Sequence, residues 1–430
     1  MALNDEELNR RREERKKEKA LLDSQLRWLK LGAIITAVVI VLCGAAVLIT
    51  NGLVKPRQPA PPQMQTPSTS ATTTPTQPPE TTPPKPAVPD TVIHYLAGGN
   101  VNVTDKTVSA GQGVNGYVYT GLFMDLVGVM SGSHLTSVNF EGNVFGDSYG
   151  TESACAPPQL MTALRNAGVD IIQTANSYTV HNGLRGLTST LDAVRNAGME
   201  PVGSFADQAE FDRTRGFIIR EVAGIKIAVV AFTKGMNGMG LPQGGFVNLL
   251  YTDFSTTYQT VDSEGISKIL RNISYEQPDI TIALVHWGSE NYDNISKTQD
   301  QIRDLLLGGG VDAIIGTHPH YVQKITQDSA GRVVAYSLSD LVGDGATKYS
   351  VLLDLEITKN GETGEVRISG YDYVPVYYAD ERESGGTARL LRIREAITAY
   401  ENNFLDRVSQ ETYEAMKNAL ERIEARVNGK

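Results

Sequence analysis

The stretch Asp279-Ile-Thr-Ile-Ala-Leu-Val-His286-Trp287-Gly288-Ser289-Glu290, with Asp312-Ala-Ile-Ile-Gly316-Thr317-His318-Pro319-His320 a helix later, decides the fold. Each half is an apolar, β-branched run of strand length that ends in a polar cluster, the pattern of a strand buried on both faces. Between them, residues 298–307 alternate polar and apolar side chains at helical spacing, and Gly308-Gly309-Gly310 stops the helix. The unit is β-α-β. Strands of a parallel sheet deliver their last residues to one edge, where ligands bind. His286, His318 and His320, three of the six histidines in the chain, are therefore expected to meet there. A single histidine at a strand end is usually a hydrogen-bonded loop residue; three converging on one edge mark a site. Pro319 excludes a helical His-x-His and favours extended backbone before it. Two such imidazoles either flank a metal ion, or one ligates while the other orients a ligand.

Further runs of the same kind lie on both sides. Residues 92–100 read as a strand entering a glycine turn, 119–130 as a helix, and 136–142 as a strand ending in polar groups. Residues 158–166 read as a helix, 168–176 as a strand and 184–196 as a helix. Residues 217–222 and 225–232, joined at Ala223-Gly224, read as a hairpin, and 262–275 as a helix. Downstream come a strand at 332–338 and a second hairpin-like pair at 349–357 and 365–374. Residues 388–427 read as amphipathic helix, with Leu391, Ile397, Phe404, Val408, Met416, Leu420 and Ile423 as its apolar stripe. Strands alternating with helices indicate α/β, and the hairpins make the sheet mixed.

The chain of 430 residues carries a net charge of −10, which argues against a nucleic-acid partner. Its two cysteines, Cys43 within an apolar run and Cys155 alone in the remainder, offer no intrachain disulfide. Residues 1–30 are dense in charge and form a solvated helix or a disordered tail. Residues 31–54 are uncharged and mostly Ala, Val, Ile and Leu, long enough to cross a hydrocarbon layer of ~30 Å. Lys30 and Lys55 bracket this run and Trp28 sits at its inner interface. A cleaved signal peptide is the rival reading, but the run exceeds a signal core and its charged preamble is long, favouring an uncleaved transmembrane helix. Nine Lys/Arg precede the run, whereas Lys55 and Arg57 alone follow closely. The expected topology is a single pass through a cell membrane, N-terminus cytoplasmic and main domain extracytoplasmic. Residues 55–90 are rich in Pro and Thr, a semi-rigid linker at ~3.1 Å per residue. Residues 91–383 are then the α/β domain and 384–430 a C-terminal amphipathic helix.

In chain order, the strand-end clusters are Gly-Gly-Asn100, Asn139-Phe-Glu141, Asn176-Ser-Tyr178, His286-Trp-Gly-x-Glu290, Gly316-x-His318-Pro-His320 and Ser337-Leu-Ser-Asp340. Together they resemble the bacterial capsule-synthesis CapA family, linked to poly-γ-glutamate, over residues 92–376. The resemblance implies a calcineurin-type metallophosphoesterase architecture: a two-sheet sandwich flanked by helices, with a two-metal site at the strand ends. Asn139, Glu141, Asn176, His286, Trp287, Glu290, His318 and His320 match the family's pattern. Asn100 stands where the family has Asp, Ser177-Tyr178 where it has Asn-His, and Ser339-Asp340 where it has Gly-Asn. A further departure falls around His181-Asn182, in place of an Asp. Two cations ~3.5–4 Å apart need anionic ligands to offset their repulsion. Asn100 removes one such charge, and a tyrosine with an ordinary pKa of ~10 is a poor proton donor at position 178. Glu141 is the one clear anionic ligand left. The metal set implied is Glu141, Asn176, His286, His318 and His320, suited to at most one tightly bound Mn²⁺ or Zn²⁺. Asn100, Asn139, Tyr178 and Glu290 are the further binding candidates. The implied partner is an anionic envelope polymer, either poly-γ-glutamate or a phosphate-bearing glycan; the membrane is the second expected partner, through the one helix at 31–54. Two functions follow: metal-assisted hydrolysis or transfer in capsule or poly-γ-glutamate synthesis or attachment, or a catalytically degenerate ligand-binding or scaffolding ectodomain.

Overall fold

The computed structural model describes residues 88–429, apart from 344, 346 and 405–407. The charged tail, the segment at 31–54 expected to span a membrane and all but the last residues of the linker lie outside the described residues. No helix among the described residues is long and apolar enough to cross a membrane.

The β-α-β unit forms as its sequence demands. Strand Ile280–His286 and strand Ala313–Thr317 are buried along their whole lengths and run parallel, with His286 opposite Thr317. Ile280, Ile282 and Leu284 enter one core, while Ala283, Val285 and Trp287 enter another on the opposite face. A continuous apolar run is what a strand with period-2 side chains needs when both faces are covered. Helix Lys297–Gly308 connects the two strands. Ser296 and Gln299 close its N-terminus as a capping box, which satisfies two backbone donors reciprocally.

Fourteen strands of the described residues build two sheets. In chain order, the strands of the first sheet are β1 (Thr91–Asn102), β2 (Leu135–Glu141), β3 (Ile171–Gln173) and β4 (Glu200–Val202). The second sheet takes β5 (Phe217–Val222), β6 (Ile225–Thr233), β7 (Ile280–His286), β8 (Ala313–Thr317), β9 (Ile325–Gln327) and β10 (Val333–Ala335). The chain then returns to the first sheet through β11 (Asp340–Val342), β12 (Tyr349–Lys359), β13 (Val366–Ala379) and β14 (Arg389–Arg392). Spatial order is β14-β13-β12-β1-β2-β3-β4, with β11 beside the end of β1, and β9-β10-β8-β7-β6-β5 in the second sheet. Both sheets are mixed: β1, β2, β3, β4 and β11 run parallel, as do β6, β7, β8 and β10, while β12, β13, β14, β5 and β9 each run antiparallel to a neighbour.

One core lies between the sheets, lined by Ile93, Tyr95, Ile227, Val229, Ile282, Leu353 and their neighbours. Outside the first sheet pack helices α1 (Gln159–Ala167) and α2 (Gly183–Asn196); outside the second pack α3 (Ser263–Tyr275) and α4 (Lys297–Gly308). This is the expected two-sheet α/β sandwich flanked by helices. In the hairpin β5–β6, Ala223 and Gly224 have φ of 51° and 75°, the pair of left-handed residues that a type I′ turn requires.

Four readings of the sequence change. The helix expected at 119–130 is two short pieces, Thr120–Phe123 and Val127–Met130. The strand expected at 168–176 shortens to Ile171–Gln173, and its polar end becomes a loop. The single C-terminal helix divides into strand β14, helix α5 (Ile393–Glu401) and helix α6 (Gln410–Val427). Leu390 and Leu391 belong to opposite cores, as adjacent strand residues do, and Phe404 is 83% exposed, so neither fits a helical stripe. The strand expected at 332–338 is β10, and beyond Ala335 the chain crosses from the second sheet to join the first at β11. Two glycines make that crossing feasible. A Cβ on Gly99 would lie 1.9 Å from the Ser339 carbonyl, and one on Gly316 would lie 2.0 Å from the Tyr336 carbonyl. Only residues without side chains admit the crossing backbone on both sides.

Candidate functional site

Strand ends of both sheets converge where the crossing segment passes. His286, the last residue of β7, falls on the face of Ile280, Ile282 and Leu284 and is fully buried. Its Nε2 lies 3.2 Å from Glu141 Oε1 and 3.0 Å from Ser177 Oγ; its Nδ1 lies 3.2 Å from Thr317 Oγ1. Glu141 ends β2 from the other sheet. His318 follows β8, and its ring stands 4.5 Å from that of His286. His318 has a φ of 95° and His320 a φ of 58°, so the extended backbone expected before Pro319 is not adopted. Ser339, on the crossing segment, has a φ of 68°. Such conformations cost about 1–3 kcal/mol each and persist only where the surroundings dictate them. Here they set the His318 ring beside that of His286 and the His320 ring beside Asp340.

The amides make a ladder across the first sheet. Asn176 Nδ2 donates to Asn139 Oδ1 at 3.1 Å, Asn139 Nδ2 to Asn100 Oδ1 at 2.8 Å, and Asn100 Nδ2 to Asp340 Oδ1 at 2.7 Å. Asn176 also donates to the Phe140 carbonyl and accepts from the Tyr178 N–H. Its amide therefore braces the loop after β3 rather than turning to the histidines. Asp340, opposite Asn100 in register, accepts in addition from His320 Nδ1 at 2.7 Å. The expectation that Glu141 is the one remaining anionic group is thus corrected: Asp340 is a second carboxylate, buried at the same place. Its motif is visible in the sequence but falls past the end of the strand expected at 332–338, and nothing in the sequence reveals its pairing with Asn100. Thr317 and Lys234 carry no site signal in the sequence, and Ser177 shows there only as a departure from the family pattern.

Charge follows burial. Both Glu141 oxygens are buried without a hydrogen-bond partner, because the 3.2 Å approach to His286 lacks hydrogen-bond geometry. Burial pushes the Glu141 carboxyl up to about 8; the His320 charge opposes this, and those of Asp340 and Glu290 add to it. Burial, then repulsion by His318, His320 and Lys234, holds His286 well below its ordinary value, and burial and Lys234 do the same for His318. Near neutral pH this close acid–imidazole pair is therefore mostly uncharged, burial outweighing mutual attraction. His320 differs. Burial lowers it, but the Asp340 hydrogen bond and the charges of Asp340, Glu141 and Glu290 together raise it to about 9. Glu290 is 59% exposed, 3.9 Å from His320 Nε2. Tyr178 is half-buried, its phenol raised by burial and then by the Glu141, Glu290 and Asp340 charges.

Ligand atoms of Glu141, His286 and His318 all lie within 4.8 Å of one another. One carboxylate with two unsatisfied oxygens and two neutral imidazoles fit a borderline divalent cation of the Zn²⁺ or Mn²⁺ kind. Of the five residues expected as ligands, these three come together. His320 is drawn aside by Asp340, and Asn176 by its backbone partners.

The chain is 24% identical over 258 residues to the capsule biosynthesis protein CapA of Bacillus anthracis, covering 58% of this chain and 60% of that one. It is 25% identical over 217 residues to the PGA biosynthesis protein CapA of Bacillus subtilis (strain 168), covering 49% and 52%. The matches thus span a little over half the length of these relatives. Among solved structures, the calcineurin-like phosphoesterase YfkN of Bacillus subtilis aligns with a TM-score of 0.40 at 15% identity, covering 78% of this chain and 100% of that one. A phosphatase of Mycoplasma pneumoniae aligns with a TM-score of 0.41 at 14% identity, covering 67% and 94%. The family profile described as bacterial capsule synthesis protein PGA_cap matches residues 90–345, from the first strand to just past Asp340. That span carries every residue of the strand-end cluster, and the chain belongs to the bacterial capsule synthesis PGA_cap family.

Proposed function

We propose that the chain is a membrane-anchored, extracytoplasmic protein of capsule or poly-γ-glutamate synthesis or attachment, and that its strand-end site handles an oxyanion of the polymer at one divalent ion. The observation that carries this reading is the buried Glu141, His286 and His318 trio with its two unpartnered carboxylate oxygens. A bound divalent ion supplies Lewis-acid polarisation of a phosphoryl or carboxyl oxygen. Glu141, His286 and His318 hold it, the amide ladder fixes the strand ends, and the Asp340–His320 pair keeps a proton at the edge of the site. Anchoring through residues 31–54 rests on their length and on the Lys/Arg bias before them. Protease added to intact protoplasts then removes the globular domain and spares the N-terminus; full protection of the domain reverses the topology.

A second reading keeps the same ligand without bond cleavage. It is favoured by Asn100, whose amide is already taken up by Asn139 and Asp340, and by Tyr178, whose phenol holds its proton more tightly than usual. Elemental analysis of the purified full chain, with a phosphodiester assay in added Mn²⁺, separates the two. One ion per chain with slow, metal-dependent turnover supports the enzyme; one ion without turnover supports the binding protein. Absence of any bound ion, with wild-type behaviour in Glu141→Gln, sinks both.

A further inference from the structure

Beside the trio stands a cation that the site as described does not use. Lys234 follows Thr233, the last residue of β6, which is paired with His286 in register. Its backbone N–H donates to the His286 carbonyl at 2.8 Å, so its position relative to the site is set by the sheet. Its Nζ donates to the Gly288 carbonyl at 2.8 Å and stands 4.9 Å from the centre of the Tyr258 ring. Gly288 is itself two residues past His286. Among the described residues, Lys234 has no carboxylate within ion-pair distance. Its side chain is half-buried, and burial lowers its pKa while the Glu290 charge partly restores it. Its charge is felt by both His286 and His318. A half-buried ammonium without an anionic partner is costly, and one carbonyl and one aromatic face offset that cost only in part. An ammonium carries three donors, and the Gly288 carbonyl takes one.

We propose that Lys234 is the anion-contact residue of this site, receiving an oxyanion of the ligand, carboxylate or phosphate, next to the Glu141, His286 and His318 centre. The assignment rests on the oxyanion-handling reading given above and names the side chain that recognises the charge. It also explains how a chain of net charge −10 takes a polyanion: attraction is local, from one fixed lysine beside a cation-binding trio. Loss of one charge-assisted hydrogen bond weakens binding about 10- to 100-fold.

The test uses the full chain with Mn²⁺, titrated with inorganic phosphate and, separately, with a short γ-linked glutamate oligomer, by calorimetry. Wild type, Lys234→Gln and Lys234→Arg are compared, with metal content and melting temperature measured for each. The expected result is a 10- to 100-fold loss in Lys234→Gln, near-recovery in Lys234→Arg, and unchanged metal content in both. Loss confined to phosphate identifies a phosphate-bearing ligand; loss confined to the oligomer identifies a carboxylate polymer. Equal binding by wild type and a folded Lys234→Gln overturns the role of Lys234 while leaving the site reading intact. If wild type takes up Mn²⁺ but binds neither anion, the oxyanion reading itself fails and the assignment falls with it.

Discussion

Metal uptake by this protein should release a proton, and that proton should come from Glu141. Without an ion, burial holds the Glu141 carboxyl at about 8, while His286 and His318 are already neutral near pH 7. A ligating carboxylate must be ionised, so binding at pH 7 displaces about 0.9 proton per ion and costs about 1.4 kcal/mol of affinity. The sign follows: affinity rises about tenfold from pH 7 to pH 9 and falls about ninefold from pH 7 to pH 6. His320, at about 9, keeps its proton through pH 7 and contributes little there. The assay is calorimetric titration with Mn²⁺ in two buffers of different ionisation enthalpy, which reads proton release directly. Glu141→Gln abolishes the release and weakens uptake. Uptake by wild type at pH 7 without proton release, or the same release from Glu141→Gln, would refute the assignment of Glu141 as the protonated ligand.

Three further outcomes are expected. In Asp340→Asn, His320 loses its carboxylate, and its ring should titrate well below the value of about 9, towards ~6.5, by NMR. Gly99→Ala drives a methyl against the Ser339 carbonyl, 1.9 Å away, where backbone must move. A loss of about 1–3 kcal/mol or more in urea unfolding is expected, and an unchanged midpoint would mean that the crossing segment is not tightly seated. Glu141 and His320 bind protons more tightly when folded, so their contributions are present at low pH and lost as pH rises through about 8 and about 9. His286 and His318 act oppositely, contributing above ~6.5 and losing that contribution as pH falls. The melting temperature of metal-free protein should therefore fall on both sides of roughly pH 6.5, and a flat profile from pH 6.5 to 9 would contradict the buried charges.

Much of this protein is legible along the chain. The apolar runs at 280–286 and 313–317 carry their own strand signature, because a strand covered on both faces needs every side chain apolar. Ser296 with Gln299 marks where the connecting helix begins, and Ala223-Gly224 marks the hairpin, since capping and turn geometry are local. Parallel pairing then brings His286 and His318 to one edge, and the Glu141 strand end is recognisable from its cluster. What the tertiary structure alone decided is which residues share the site and in what state. Asp340 became a site residue because the chain changes sheets after Ala335, a crossing that depends on Gly99 and Gly316 far apart in sequence. Lys234 came to stand beside the trio through the pairing of Thr233 with His286. The short strands at 200–202, 325–327 and 389–392 owe their conformation to the neighbour each one pairs with rather than to their own pattern. The protonation of Glu141, His286, His318 and His320 was equally out of reach, because burial and neighbouring charge set it, and both are properties of the packed chain.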